Sequence, residues 1–363
     1  AELINYNQQI IIELFPDKKH PAHFKTDLLF GELEGYLESP PSLQYDYDYD
    51  QVVSFGELIS TTIMSEFLAK EGLNCRWFDV RELVRTDNTW REGKVDWKIT
   101  EKQISEKVSA FLDQSEGSPA IALTQGFMGA TPGGDTTTLG REGSDYTAAI
   151  FAYALQADEM VIWKDVPGLL NADPKYFSRT EKLASISYRE AIELSYYGAT
   201  IIHPKTIKPL QNKDIPLRIK SFVKPGDEGS IIQNDTAADS LIPSFIFKVD
   251  QVLISIIPRD FSFIDEQSLS EILAVFASNA IHISLMQNSA ISFSVCVDNN
   301  QRKLSRLFEE LGKDYKVRYN TGLELITIRH YDQATIDRVM EDGKTVLLEM
   351  RSRLTAQFVA RPH

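Results

Sequence analysis

The residues with the clearest chemical use lie between Gln125 and Thr147. Gly140-Arg141-Glu142-Gly143-Ser144-Asp145-Tyr146-Thr147 joins glycines, which let backbone approach a ligand, to a helix start whose free N–H groups favour an anion. Arg141 adds a planar fork that can grip a carboxylate at two points. The same string works equally as a glycine loop with an N-cap at Ser144 or Asp145 and a surface arginine. Upstream, Gly126-Phe127-Met128-Gly129-Ala130-Thr131-Pro132-Gly133-Gly134 fits a mobile hairpin over a phosphate, or a purely structural turn. It is not a nucleotide P-loop, because no Gly-Lys-Ser/Thr follows, and no Gly-x-Gly-x-x-Gly occurs either.

Trp163-Lys164-Asp165-Val166-Pro167-Gly168 reads as a strand ending in a turn, the position where nucleotides lie on a parallel sheet. Asp165 there can meet a ribose hydroxyl or simply close an Asx-type turn. Asp173-Pro174-Lys175 is turn chemistry of the same kind. Glu57, after Ser54-Phe55-Gly56, can accept hydrogen bonds from a substrate ammonium, or complement a helix dipole from the first turn. The histidines, including the close pair His20 and His23, do not assemble a metal set, so no protein metal ligand is assigned. No Gly-x-Ser-x-Gly elbow supports a hydrolase triad.

These residues must be carried by an alternating α/β scaffold. Residues 1–50 read as helical pieces and a turn-rich connection broken at Ser39-Pro40-Pro41-Ser42, with Tyr45-Asp46-Tyr47-Asp48-Tyr49-Asp50 as a solvated loop. A helix opens at Gly56-Glu57. Strands are expected at 75–78, 119–124, 160–163 and 217–222, and helices at 104–111, 146–155 and 188–197, the last ending at Gly198. That order predicts a mostly parallel sheet covered on both faces. Residues 223–243 are linker-like, and strands and helices then alternate in short βαββαβ-like units.

The chain has 363 residues, 43% hydrophobic and 25% charged, enough for two or more globular cores. A net charge of −14 argues against nucleic acid or an anionic membrane as partner. Cys75 and Cys296 sit far apart in apolar runs, which suits buried free thiols and a reducing cytoplasm. The longest apolar candidate for a span, 148–163, is interrupted by Gln156, Asp158 and Glu159, and no signal peptide is expected.

Taken in order, four strings resemble the aspartate kinases of the amino-acid kinase superfamily, from about Val52 to the C-terminus. They are Phe55-Gly56-Glu57-Leu58-Ile59-Ser60-Thr61; Gln125-Gly126-Phe127 with Thr138 to Ala149; Trp163 to Gly168 with Asp173-Pro174; and Tyr197-Gly198-Ala199-Thr200-Ile201-Ile202-His203-Pro204. The resemblance implies ATP- and Mg²⁺-dependent phosphorylation of the L-aspartate β-carboxylate, the entry to lysine, threonine and methionine synthesis. It implies Glu57 on the substrate ammonium, Arg141 with Gly143 and Ser144 on its carboxylates, and Asp145 organising transfer. Lys164, Asp165, Leu170, Lys175, Thr200 and Ile201 would line the nucleotide pocket.

The resemblance also implies the fold: an amino-acid kinase domain over 1–232, a linker at 233–243, and paired α+β ACT domains over 244–363. By position, Asp265, His282, Ser284, Gln287 and Asn288 would hold an allosteric amino acid, lysine or threonine, and the tail would form a homodimer. Several positions depart from the family pattern. Glu142 replaces a glycine and brings negative charge to a carboxylate site, while Lys164, Leu170 and Lys175 replace a threonine, a tyrosine and an arginine. Thr200 replaces a lysine expected near the phosphates, with Lys205 as a nearby cation. The family's opening strand and Lys-Phe-Gly-Gly-Thr-Ser string have no counterpart, so the chain as written is expected to be impaired as a kinase. Two other readings stand beside this one: a kinase for another small carboxylate such as glutamate, and an amino-acid-sensing regulatory subunit.

Overall fold

The computed structural model describes residues 2–115, 119–177, 179–199, 202–260, 262–341 and 343–362. The chain forms two compact units, Ala1–Trp163 with Ile202–Arg218, and Lys164–Ile201 with Ile219–His363.

Helices α1 (Glu2–Leu14), α2 (Pro21–Glu38) and α3 (Tyr45–Lys70) open the first unit. Phe55, Leu58, Ile59 and Ile63 recur at helical spacing on α3 and close a core with Phe30 and Leu33 of α2 and with Ile11 and Phe15. The Tyr-Asp tract is therefore not a loop: it forms the first turns of α3. Asp46 and Asp48 complement the helix dipole there, and Asp48 accepts hydrogen bonds from Tyr36 Oη (2.7 Å) and Ser42 N–H (2.9 Å). Glu57 consequently lies mid-helix rather than in a first turn. Among the described residues α3 is also the helix with the length and apolar content of a membrane span, in place of 148–163, but its apolar side faces this core.

Next come β1 (Asn74–Phe78), α4 (Trp97–Ile104), a π-helical stretch at Ser105–Ser109, α5 (Ala110–Asp113) and β2 (Ala120–Thr124). Strands β1 and β2 pair in parallel, with Asn74 opposite Ala120 and Phe78 opposite Thr124. The glycine-rich stretch then forms an antiparallel hairpin, β3 (Met128–Ala130) with β4 (Thr136–Thr138). All six hairpin residues are buried, so it is core structure rather than a mobile flap. Helix α6 (Gly143–Leu155) and β5 (Met160–Lys164) follow. Its N-cap is Glu142, not Ser144 or Asp145, and the cap residue is left-handed at φ 54°.

Short strands β6 (Leu169–Leu170), β7 (Lys182–Leu183) and β8 (Ser185–Ser187) lead to α7 (Tyr188–Tyr197), which has the limits expected from sequence and stops at left-handed Gly198. Helix α8 (Pro204–Lys213) was not among the expected helices, and it carries Pro209 inside it. Pro204 at its first position and buried Ile207 and Leu210 are the signals that favour it. Strands β9 (Leu217–Ser221) and β10 (Ser230–Gln233) follow, with β10 parallel to β8. Thus part of the linker-like 223–243 segment is a strand. Cys75 is only partly buried, whereas Cys296 is fully buried and its thiol is pushed up to about 12 by burial.

The rest of the second unit is one six-stranded antiparallel sheet. Its elements are β11 (Ser244–Pro258), α9 (Glu266–Ser278), β12 (Ile283–Ser289), β13 (Ser292–Asp298), α10 (Gln301–Leu311), β14 (Tyr315–Arg329), α11 (Gln333–Met340), β15 (Thr345–Arg351) and β16 (Thr355–Arg361). The strand order is β12-β13-β11-β14-β16-β15, so β11 and β14, each 15 residues, run the width of two βαβ-type halves. Val252, Ile254 and Ile256 meet Ile272 and Phe276 of α9 in one half; Phe245, Ile326 and Ile328 meet Ile336 and Val339 of α11 in the other.

Arg329 of β14 binds Glu190 of α7 in a buried pair of 2.5 Å, and His330 Nε2 lies 3.1 Å from the same carboxylate. Burial alone would raise the Glu190 carboxyl, but the neighbouring His330 ring and the hydrogen-bonded Arg329 guanidinium outweigh it and hold it below its ordinary 4.5. A depressed carboxyl contributes stability that is complete above the unfolded value and is lost as pH falls through the folded one. Glu190→Gln should therefore lower stability at neutral pH by about 1–3 kcal/mol and flatten the acid limb of a urea-midpoint-against-pH series. An unchanged limb would remove the pair from the acid response. Gly56, mid-helix in α3, has no heavy atom within 4 Å of a built Cβ, so Gly56→Ala should raise the urea midpoint by about 0.5–1 kcal/mol of stability.

Candidate functional site

In the first unit, Asp50 is fully buried at 0% exposure, one turn above Ser54 on α3. Its carboxylate accepts Thr138 N–H (3.0 Å), Thr138 Oγ–H (2.8 Å) and Arg91 N–H (2.8 Å). Beside it the Gln51 amide pairs with Thr136 through both of its groups, at 3.1 and 2.8 Å. These bonds fasten α3 to β4, which leads directly into Gly140-Arg141. Neither residue was singled out in the sequence. A buried aspartate in a Tyr-Asp run is invisible when the run is taken for a loop.

Arg141 lines a cleft of about 530 Å³ with Val53, Phe127, Thr138 and Gly140. Glu57 is one helical turn beyond Val53 and shares its face of α3. Burial pushes the Glu57 carboxyl above its ordinary range, so a cation placed beside it would be favoured. Gly143 and Ser144 form the first turn of α6. A Cβ on Gly143 would come within 2.7 Å of Phe127 Cβ, and one on Gly126 within 2.7 Å of Ser144 Oγ. The Gln125-Gly126-Phe127 bend and the start of α6 therefore touch backbone to backbone, and this seats the first-turn N–H groups. Ser144 itself opens onto an adjoining cleft beside Gln125 and Gly126. Asp145 is half-buried in the same turn.

Glu142 does not face the carboxylate cleft as its charge suggested. Its Oε2 accepts His203 N–H at 2.7 Å, at the start of α8. Burial holds His203 below its ordinary value, against the pull of Glu142. Lys205 follows within the first turn of α8, where its N–H donates to His203 Nδ1 (3.2 Å).

In the second unit, Lys164, Asp165, Leu170 and Lys175 all line one cavity of about 630 Å³, which also includes Gly198 and Ala199. Thr200 and Ile201 lie outside the described residues. Apolar Leu169, Ala172, Ile219 and Phe245 floor the cavity, while the lysines and Asp165 supply charge at its edge.

The five residues placed in the tail are less gathered. Asp265 caps α9, accepting Ser268 N–H (2.9 Å) and Oγ–H (2.7 Å), and these bonds lower its carboxyl. His282 meets Tyr196 edge-on at 6.3 Å. Ser284 accepts a hydrogen bond from Lys248 Nζ (3.1 Å), a residue the sequence did not nominate. Gln287 and Asn288 are exposed on alternate faces of the edge strand β12.

The parallel pairs, glycine-led helix starts and strand-end cavity, followed by a regulatory-type curled sheet, define the amino-acid kinase fold with an ACT-like tail. The amino acid kinase family model matches residues 12–221, more than half of the chain, and the chain belongs to that family. Lysine-sensitive aspartokinase 3 of Escherichia coli (strain K12) is 30% identical over 287 residues, covering 77% of this chain. The chain spans only 62% of that relative's length. A crystal structure of E. coli aspartokinase III with aspartate and ADP (R-state) superposes with a TM-score of 0.74 at 26% identity, covering 92% of this chain and 77% of that one. The same protein with lysine and aspartate (T-state) gives 0.76 at 26% identity, covering 94% and 78%.

Gly143→Ala should force Phe127 and the start of α6 apart. A loss of about 1–3 kcal/mol in urea unfolding is expected. Unchanged stability would mean that the contact yields without cost.

Proposed function

We propose that the chain is an aspartate kinase, transferring phosphate from ATP to the β-carboxylate of L-aspartate. The observation that carries this reading is Arg141 in one cleft with Phe127, Gly140 and Val53, a helical turn from a Glu57 whose burial favours a neighbouring ammonium. A dicarboxylic amino acid matches that set: guanidinium and helix-start N–H groups for carboxylates, carboxylate for the amine. Gly143, Ser144 and Asp145 would hold and orient the acceptor. Transfer of this kind rests mainly on positioning and charge stabilisation.

Lys164, Asp165, Leu170 and Lys175, with Thr200 and Ile201, are the proposed nucleotide contacts. The apolar floor of their cavity suits a purine, and the lysines suit phosphates. Among the described residues no group of three His, Cys, Asp or Glu could hold a metal, so Mg²⁺ would arrive on the phosphates, as is usual for this hard ion. Bound there, it would neutralise charge on the transferring group.

The tail would sense lysine or threonine through Asp265, His282, Ser284, Gln287 and Asn288. Because Gln287 and Asn288 stand exposed on an edge strand, a homodimer is the natural way to enclose that ligand. The ligands of the E. coli structures, aspartate, ADP and lysine, support all three assignments by likeness. We place the protein in the cytoplasm, with domains at 1–232 and 244–363 joined by 233–243.

Calorimetric titration tests the reading. Arg141→Ala should weaken L-aspartate by about tenfold or more, the worth of a charge-assisted bidentate contact, and leave ATP affinity within twofold. Equal loss of both ligands would mean that the anion held at Arg141 is nucleotide.

A further inference from the structure

The cleft beside Arg141 carries a second guanidinium that no motif nominates. Arg91 lines it together with Asp46 and Tyr49. Its backbone is left-handed at φ 64°, an uncommon conformation for a residue with a side chain. The fully buried Asp50 holds it there by accepting Arg91 N–H at 2.8 Å. The backbone of Arg91 is therefore fixed by the same carboxylate that fixes Thr138, while its side chain is only loosely committed. The guanidinium lies 4.6 Å from the Tyr49 ring centre and 3.3 Å from Asp46 Oδ1, with both charged side chains at least half exposed. An exposed pair at that distance contributes little and is readily exchanged for another carboxylate.

We propose that Arg91 is a specificity-determining residue, taking one carboxylate of a dicarboxylic amino acid while Arg141 takes the other. Asp46 occupies the guanidinium when the cleft is empty and competes with the incoming carboxylate. With Asp46 displaced, the two guanidiniums answer two carboxylates, and Glu57, a helical turn beyond Val53, answers the ammonium. Tyr49 keeps the guanidinium plane over the cleft in either state, since stacking on an aromatic face does not use its N–H groups. This inference rests on the aspartate reading of the Arg141 cleft and extends it to a residue outside the family strings.

The test is calorimetric titration of the chain with L-aspartate and, as the one-carboxylate comparison, L-asparagine. Arg91→Gln should weaken L-aspartate about tenfold and leave L-asparagine within about twofold, because only the charged partner is lost. Asp46→Asn should move the other way and tighten L-aspartate about twofold to threefold by removing the competitor. Arg91→Gly, which suits the left-handed backbone, should lose L-aspartate affinity as Arg91→Gln does, without loss of thermal stability. L-aspartate binding that survives Arg91→Gln but not Arg141→Ala overturns this inference and leaves the proposed function standing. Equal loss of both ligands in Arg91→Gln, or weaker L-aspartate in Asp46→Asn, also overturns it. No L-aspartate binding by the unsubstituted chain, or none lost in Arg141→Ala, overturns the proposed function itself.

Discussion

The first unit depends on one buried carboxylate. Asp50 has no exposure, and left unpaired it would be prohibitively costly in that position. Three donors satisfy it, two from Thr138 and one from the Arg91 backbone. Because Thr138 ends β4 and Arg91 sits at a left-handed bend, one side chain sets three things at once. It fixes the height of α3 against the hairpin, the path into Gly140-Arg141, and the position of a strained arginine. Thr61 repeats the arrangement lower on α3, accepting from Trp77 Nε1 and Gln125 Nε2, both at 3.0 Å. The cleft is therefore walled by a helix whose polar anchors are buried, and such anchors hold geometry more strictly than apolar contact alone.

In the second unit the comparable element is α7. Its start is capped by Ser187, whose N–H and hydroxyl both donate to Asp239 at 2.7 and 2.6 Å. Within its first turn, Glu190 is bound to Arg329 of β14, and Arg329 also donates to Thr355 of β16 at 2.8 Å. At its end, Gly198 and Ala199 line the cavity proposed for nucleotide, and the stem of Lys248 lies against Gly198. Lys248 in turn reaches Ser284 on the edge strand. A buried pair of this kind adds little net stability over an apolar core, but breaking it is costly, so it favours one arrangement of helix and sheet.

Much of this was legible in the sequence. Helix α7 was bounded at both ends, with its stop marked by the glycine that follows the run. The strands of the tail followed their apolar runs, and the glycine-rich strings marked the strand-end turn at Lys164 and placed the start of α6 three residues late. The failures have physical causes. Tyr45–Asp50 alternates with period two, which hides a helix, and its burial of Asp50 depends on donors 41 and 88 residues away. Glu142 looked like a misplaced charge, yet it binds a backbone N–H 61 residues on. Arg91 and Lys248 belong to no motif, and their importance comes from what the fold brings beside them.

The central claim is that a carboxylate clamp lies in the first unit, at the end of β4 and the start of α6. Amide hydrogen exchange with and without saturating L-aspartate measures this directly, since a ligand slows exchange where it binds. A clamp at Arg141 and Arg91 predicts slowed exchange over residues 89–93 and 138–146, with residues 164–176 unchanged. Slowing confined to residues 164–176, with none in the first unit, would contradict it.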